Sequence, residues 1–172
     1  MEDVDELVRL RALMFESFGG DGSGAAWRAA CHAFLRRRLT EEPQRFVAVV
    51  VDSPVSTGPG GLLVSAGLGW VDEHLPGPSN PSGLRGYIAS MSTDLEARRQ
   101  GHARAVLAAL MEWFAGHGVG RVDLRATAPA EPLYSSWGFD IPTGLPMTWI
   151  AEGSSDDPWV TPSPLTEDRQ QV

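Results

Sequence analysis

Apolar residues at Val4, Leu7, Val8, Leu10 and Met14 recur at helical spacing until Gly19-Gly20-Asp21-Gly22 interrupts them, which predicts a first helix of roughly four turns. A second helix is expected from about Ala25 to Leu39, with Trp27, Cys31, Phe34 and Leu35 on one face. From Arg45 to Val51 β-branched residues take over and predict a strand. Ser53 to Gly61, with two prolines and three glycines, reads as a turn, and Leu62 to Val71 as the return strand of a hairpin. Asp72 to Gly83 contains Pro76, Gly77, Pro78, Asn80 and Pro81 and is expected as a long loop, a class of segment that often carries function. Beyond it the pattern predicts a strand over Arg85–Ser92 and a helix over Gly101–His117, with Val106, Leu107, Leu110, Met111 and Phe114 on its inner face. A strand over Val119–Ala126, a short helix over Ala130–Ser136 and a last strand over Met147–Glu152 complete one mixed α/β domain.

The length of 172 residues fits a single domain able to bury its own core. Residues 153–172, rich in Ser, Pro and Asp, change character and are expected to form a partly disordered tail. Residues 152–172 hold five acids and one arginine, a net −4 that is half of the chain's −8. The acidic balance argues against nucleic acid as a partner, because neutralising phosphates needs a basic surplus. All 14 basic residues are arginine, so lysine Schiff-base chemistry is excluded and every cation is a permanently charged fork. Cys31 is the single cysteine, which rules out an intrachain disulfide and a cysteine-cluster metal site; no metal is expected. The acidic start lacks the features of a signal peptide, and the longest aliphatic run falls far short of the ~20 residues that span a bilayer. A soluble cytoplasmic protein with no membrane partner is the expectation.

Candidate chemistry concentrates in Arg98-Arg99-Gln100-Gly101-His102-Ala103-Arg104, between a predicted strand and an amphipathic helix. A glycine-containing loop that feeds a helix N-terminus presents unpaired N–H groups and a partial positive charge, and three arginines add to it. Together these make an anion site suited to phosphate. The segment matches neither GxxxxGK[ST] nor GxGxxG. The triplet Arg36-Arg37-Arg38, by contrast, reads first as a solvated helix C-terminus.

Arg98-x-x-Gly101-x-Ala103 followed by Leu133-Tyr134-Ser135-Ser136-Trp137-Gly138-Phe139 resembles the GNAT superfamily of acyl-CoA-dependent N-acetyltransferases. The signature is [Q/R]-x-x-G-x-[G/A] and the later block LYxxxGF, in this order and with a helix and a strand between them. The resemblance implies a mixed, mostly antiparallel central sheet flanked by helices, over residues 1–152. It implies acetyl-CoA as cosubstrate, bound by the backbone of Met91, Ser92 and Thr93 along the pantetheine arm. The pyrophosphate would lie on Arg98, Arg99, Gln100, Gly101, His102, Ala103 and Arg104. It also implies Tyr134 as the general acid for the departing thiolate, a small-molecule or peptide amine as acceptor, and a homodimer as a common state.

The chain departs from that pattern twice. Many members carry Asn seven residues before the tyrosine, where this chain has Thr127, still expected to contact the cofactor. Some place a glutamate on the strand before the phosphate loop as base, at the position of Tyr87 here. Asp72, Glu73 and His74 are therefore the substitutes to consider, with Glu73 the candidate catalytic residue and a solvated turn the competing reading for each. The acids Asp72, Glu73 and Glu131 lead to the expectation of a cationic amine. Trp70, Trp137 and Trp149 are expected in the core. The alternative to an enzyme is a non-catalytic acyl-CoA-binding or protein-interaction module of the same fold.

Overall fold

In the computed structural model, which describes residues 3–17, 19–54, 61–144 and 147–149, the first apolar stripe forms helix α1 (Val4–Glu16). Asp5 and Glu6 in its first turn suit the positive end of the helix dipole, and Val4, Leu7, Val8, Leu10, Ala12 and Met14 are buried. Helix α2 (Ala25–Glu41) buries only Leu35 fully. Arg37 and Arg38 at its end both reach Glu42, at 3.5 and 2.6 Å, so two arginines of the triplet are paired at the helix terminus.

Four strands follow in the sheet order β1-β2-β3-β4, namely β1 (Phe46–Asp52), β2 (Leu63–Glu73), β3 (Leu84–Thr93) and β4 (Val122–Leu124). The first three are antiparallel neighbours. Helix α3 (His102–Gly116) crosses over between β3 and β4 and makes that last pair parallel. Central β2 is buried on both faces from Leu63 to Gly69, because α1 and α2 cover one side and α3 the other. The first core joins Leu7, Val8, Leu10, Leu35, Phe46 and Leu68, and the second Ile88, Val106, Leu107, Leu110, Phe114 and Tyr134. Gly69 and Gly86 let α3 approach. A Cβ on Gly86 would stand 2.7 Å from Phe114 Cε1, and one on Gly69 would stand 3.0 Å from both Leu110 and Phe114. On the opposite face, Phe46, Trp70 and Tyr87 form an aromatic row across three strands, with centroids 6.3 and 4.8 Å apart.

The mixed, mostly antiparallel sheet expected from the sequence is thus observed, with several corrections in detail. The expected loop over Asp72–Gly83 begins later, since Asp72 pairs with Arg85 and Glu73 with Leu84 inside the sheet. Available backbone pairing outweighs the poor strand propensity of two acids. The connection over 74–83 is itself pinned, by the His74 N–H to Gly83 O and by a Gly77–Asn80 bridge. The strand expected over Val119–Ala126 shrinks to three residues because β3 turns away from it beyond Ile88. Trp137 is 37% and Trp149 86% exposed, so neither is core, whereas Trp70 does pack against the first core. Met147 to Trp149 are not in a strand, and the rest of that predicted element and the tail lie outside the described residues, as do residues 55–60 of the turn. Among the described residues no helix is long and apolar enough to cross a membrane.

Candidate active site

The site begins with a fault in the β2–β3 ladder. Ala66 pairs with Ser92 and Leu68 with Ala89, so Ser90 and Met91 together stand opposite Gly67. That is a β-bulge, and Ser90 takes the left-handed conformation it requires, at φ 54°. On its other side β3 pairs with β4 only from Gly86 to Ile88. Beyond Ile88 the bulge bends β3 away, and a cleft of about 410 Å³ opens between the two strands. Tyr87 to Met91 form one wall, and Thr127, Ala130 and Tyr134 form the other. Trp70 and, from α1, Arg11 and Met14 also line it, as does Arg125 just after β4.

Where β3 ends, a turn of 3-10 helix (Leu95–Ala97) leads into the predicted anion loop. Arg99 and Gly101 both have positive φ, 63° and 88°, and Gly101 is the N-cap of α3 with no side chain capping it. Among the described residues a Cβ at Gly101 would meet nothing within 4 Å, so conformation, not crowding, makes glycine the suitable residue there. The first α3 N–H to find an intrahelical carbonyl is that of Ala105, on Gly101 O. The N–H groups before it are left for an anion, as at any uncapped helix start. Arg98 Nε donates to Thr93 O at 3.2 Å and Gln100 Nε2 to Glu96 O at 3.0 Å, so these two side chains brace the loop. Arg99 and Arg104 stand exposed beside it, while His102 and Ala103 are half-buried.

The loop is also held from below. The Arg9 guanidinium donates to both oxygens of Asp94, at 2.8 and 3.2 Å, to Leu63 O at 2.6 Å and to Glu6, while Glu6 accepts the Leu63 N–H. Asp94 is the N-cap of the 3-10 turn that leads into the loop, so α1 is tied to the anion site through that turn. These bonds hold the Arg9 pKa well above its ordinary value. Ser92 Oγ donates to Leu10 O at 2.9 Å, and Thr93 Oγ1 pairs with Ser65 Oγ. Their side chains are therefore engaged in the fold, which leaves the backbone as what Ser92 and Thr93 can offer a ligand. Sequence reasoning did not single out Arg9, Arg11 or Arg125. The only local signal for Arg9 was a Glu three residues before it on the same helix face.

Tyr134, on the short helix α4 (Glu131–Ser135), is 6% exposed and packs edge-on against Phe139 at 5.9 Å. Burial pushes its phenol up to about 12, because the interior disfavours phenolate. Thr127 sits at the turn before α4, where its carbonyl accepts the N–H groups of Ala130 and Glu131. Tyr134, Thr127, Tyr87 and Met91 are thus brought to one cleft. Glu73 is not. It lies three residues along β2 from the cleft-lining Trp70, about 10 Å of strand, and is ion-paired to Arg45. Asp72 accepts a hydrogen bond from Trp70 Nε1 at 2.9 Å. Among the described residues the cleft lining contains no Asp, Glu or His, and its only charged side chains are Arg11 and Arg125. The lining does not match the acidic acceptor side anticipated from Asp72, Glu73 and Glu131.

A sheet that splits beside a bulge, with an uncapped helix N-terminus at the end of the diverging strand, defines a protein that can hold an extended, phosphate-bearing ligand as an added strand. The comparisons give that class its family. The model of the acetyltransferase (GNAT) family matches residues 7–139, and the chain belongs to this family. Similar solved structures include a predicted acetyltransferase from Clostridium acetobutylicum with acetyl-CoA, at a TM-score of 0.72 and 19% identity over 86% of this chain and 91% of that one. A GCN5-related N-acetyltransferase from Ralstonia eutropha gives 0.71 and 27% identity over 86% and 92%. Glucosamine-6-phosphate N-acetyltransferase from Arabidopsis thaliana gives 0.66 and 13% over 87% and 92%. No curated protein matches the chain.

Proposed function

We propose that the protein transfers the acetyl group of acetyl-CoA to a primary amine by direct attack, with both substrates bound at once. The observation that carries this reading is the opening of the sheet at the Ser90–Met91 bulge, with Tyr134 on the facing wall and the anion loop at the end of the same strand. Acetyl-CoA supplies the activated thioester. The backbone of Met91, Ser92 and Thr93 pairs with its pantetheine arm. The N–H groups of Arg99 to Arg104 hold its pyrophosphate, and Arg99 and Arg104 add charge that no conformational change needs to recruit. An amide of the bulge donates to the thioester oxygen as negative charge develops there.

The amine nitrogen bonds to the carbonyl carbon, the C–S bond breaks, Tyr134 donates its proton to the departing sulfur, and the proton shed by the new amide nitrogen returns through solvent to the phenolate. With a phenol at about 12 and a reference thiol near ~8.5, that transfer is uphill by ~3.5 units, or about 5 kcal/mol. A barrier of ~16 kcal/mol corresponds to a turnover of ~10 per second, so the step fits within ordinary catalysis. With arginines as the charged lining, the cleft disfavours the ammonium form of the acceptor, and its proton leaves to solvent without a carboxylate base.

The test is free-thiol release from acetyl-CoA with a panel of amines. Tyr134→Phe should lower kcat by at least ~10-fold, at or below the usual worth of a general acid, with acetyl-CoA affinity held. Undiminished turnover would remove Tyr134 from that role. The lack of a carboxylate in the cleft lining favours one second reading, an acyl-CoA-binding module, which acetyl-CoA binding without thiol release for any amine would establish.

A further inference from the structure

The geometry points to an acceptor that carries its own anionic group, a carboxylate or phosphate ester on a small primary amine, recognised by Arg11 and Arg125. This inference rests on the acetyl-transfer reading and names the substrate class of that same cleft. Its basis is charge placement. The protein is strongly acidic, yet the cleft between β3 and β4 is lined by two arginines and by no carboxylate among the described residues. Of the acids nearest in sequence or fold, Glu73 is paired with Arg45, and Glu6 and Asp94 with Arg9. Asp72 accepts from the cleft-lining Trp70, and Glu131 follows the lining residue Ala130, but neither carboxylate is itself part of the lining.

Arg11 and Arg125 are in none of the ion pairs formed among the described residues. Each is positioned without being neutralised. The Arg11 guanidinium lies 4.8 Å over the Phe15 ring, and Arg125 donates one bond, at 3.1 Å, to Thr148 Oγ1. A guanidinium has five N–H donors, so both keep forks free for a planar or tetrahedral anion. Arg11 and Arg125 line the cleft itself, whereas Arg99 and Arg104 stand exposed at the phosphate loop, which assigns the first two cations to the acceptor and the second two to the cosubstrate. The part of the 410 Å³ cleft that the pantetheine arm leaves free suits a small metabolite, with the Trp70 and Tyr87 rings, tilted 35° to one another, as an aromatic wall.

The experiment compares amines that differ only in the charged group: an α-amino acid against its amide, and an aminoalkyl phosphate against the amino alcohol, with a diamine as the cationic arm. Thiol release gives kcat/KM for each. Calorimetry of the same pairs on the CoA-saturated protein gives affinity even where turnover fails. The expected result is a preference of at least ~10-fold for the anionic member, and whichever of the carboxylate and phosphate pairs shows it identifies the group. Arg11→Gln and Arg125→Gln should compress that ratio, and Arg125→Glu should move it toward the diamine. Equal use and equal binding of charged and uncharged members, or a preference for the diamine in the unaltered protein, would overturn the inference. So would variants that lose acetyl-CoA affinity while keeping the preference. Anion-selective binding without thiol release for any amine would sustain this inference and sink the transferase reading.

Discussion

Tyr134 allows a test in which stability, ionisation and catalytic assignment are read from one residue. Its phenol stands at about 12 against an ordinary value near ~10 in an unfolded chain. A raised folded pKa means that the associated stability is fully present below pH ~10 and is lost as pH climbs toward ~12, because only the unfolded chain can release the proton in that window. Two units correspond to about 3 kcal/mol, and the residue is buried enough, at 6% exposed, that solvent screening does not erase the effect. The chain has no lysine to titrate alongside, arginine stays charged, and the one other tyrosine, Tyr87, is common to both proteins, so the difference between them isolates Tyr134. Cys31, whose thiol burial also pushes up, is replaced by Ser in both proteins compared. Urea unfolding at pH 9 and pH 11.5, with ultraviolet titration of phenolate, should show the loss in the Tyr134 protein and its absence in Tyr134→Phe. A Tyr134 phenolate signal centred near 10, or the same alkaline loss in Tyr134→Phe, would refute the desolvation argument and the cost assigned to proton donation.

Three further perturbations follow from the packing. Arg9→Ala removes five hydrogen bonds and strands Glu6 and Asp94, so urea unfolding should register a loss of about 3 kcal/mol, and acetyl-CoA affinity should fall with it. Unchanged affinity would detach α1 from the phosphate loop. Gly86→Ala drives a methyl to 2.7 Å from the ring of Phe114, itself 1% exposed, and should destabilise by about 2 kcal/mol in the same assay. Gly101→Ala meets no atom of the described residues, so its effect should be limited to strain at φ 88°, about 1 kcal/mol of stability, and a drop in acetyl-CoA affinity. A larger loss of stability would mean that the loop is more crowded than its geometry indicates.

Much of this protein was legible along the chain because the relevant physics is local. The stripe of Val106, Leu107, Leu110 and Phe114 specifies a helix with one buried face, and all four are buried in α3. The pair of short motifs, around Gly101 and around Tyr134, identified the family that the comparisons then returned. The site was harder to read. Asp72, Glu73 and His74 looked like a cluster because they are adjacent in sequence, yet strand pairing carries Glu73 down β2 to Arg45 and leaves Asp72 with Trp70. Arg9 and Asp94 are 85 residues apart, and no spacing rule connects them.

What the sequence by itself determined is the order of elements as far as α4, the family, the absence of lysine and the loop with its helix start. Each depends on neighbours within a few turns or on composition alone. Only the tertiary structure decided the bulge at Ser90 and Met91, the departure of β3 from β4, and the charge of the cleft that results. Those are consequences of cross-strand register and of which distant side chains neutralise one another. The net charge of −8 therefore describes the chain, whereas the two unpaired arginines describe the cleft.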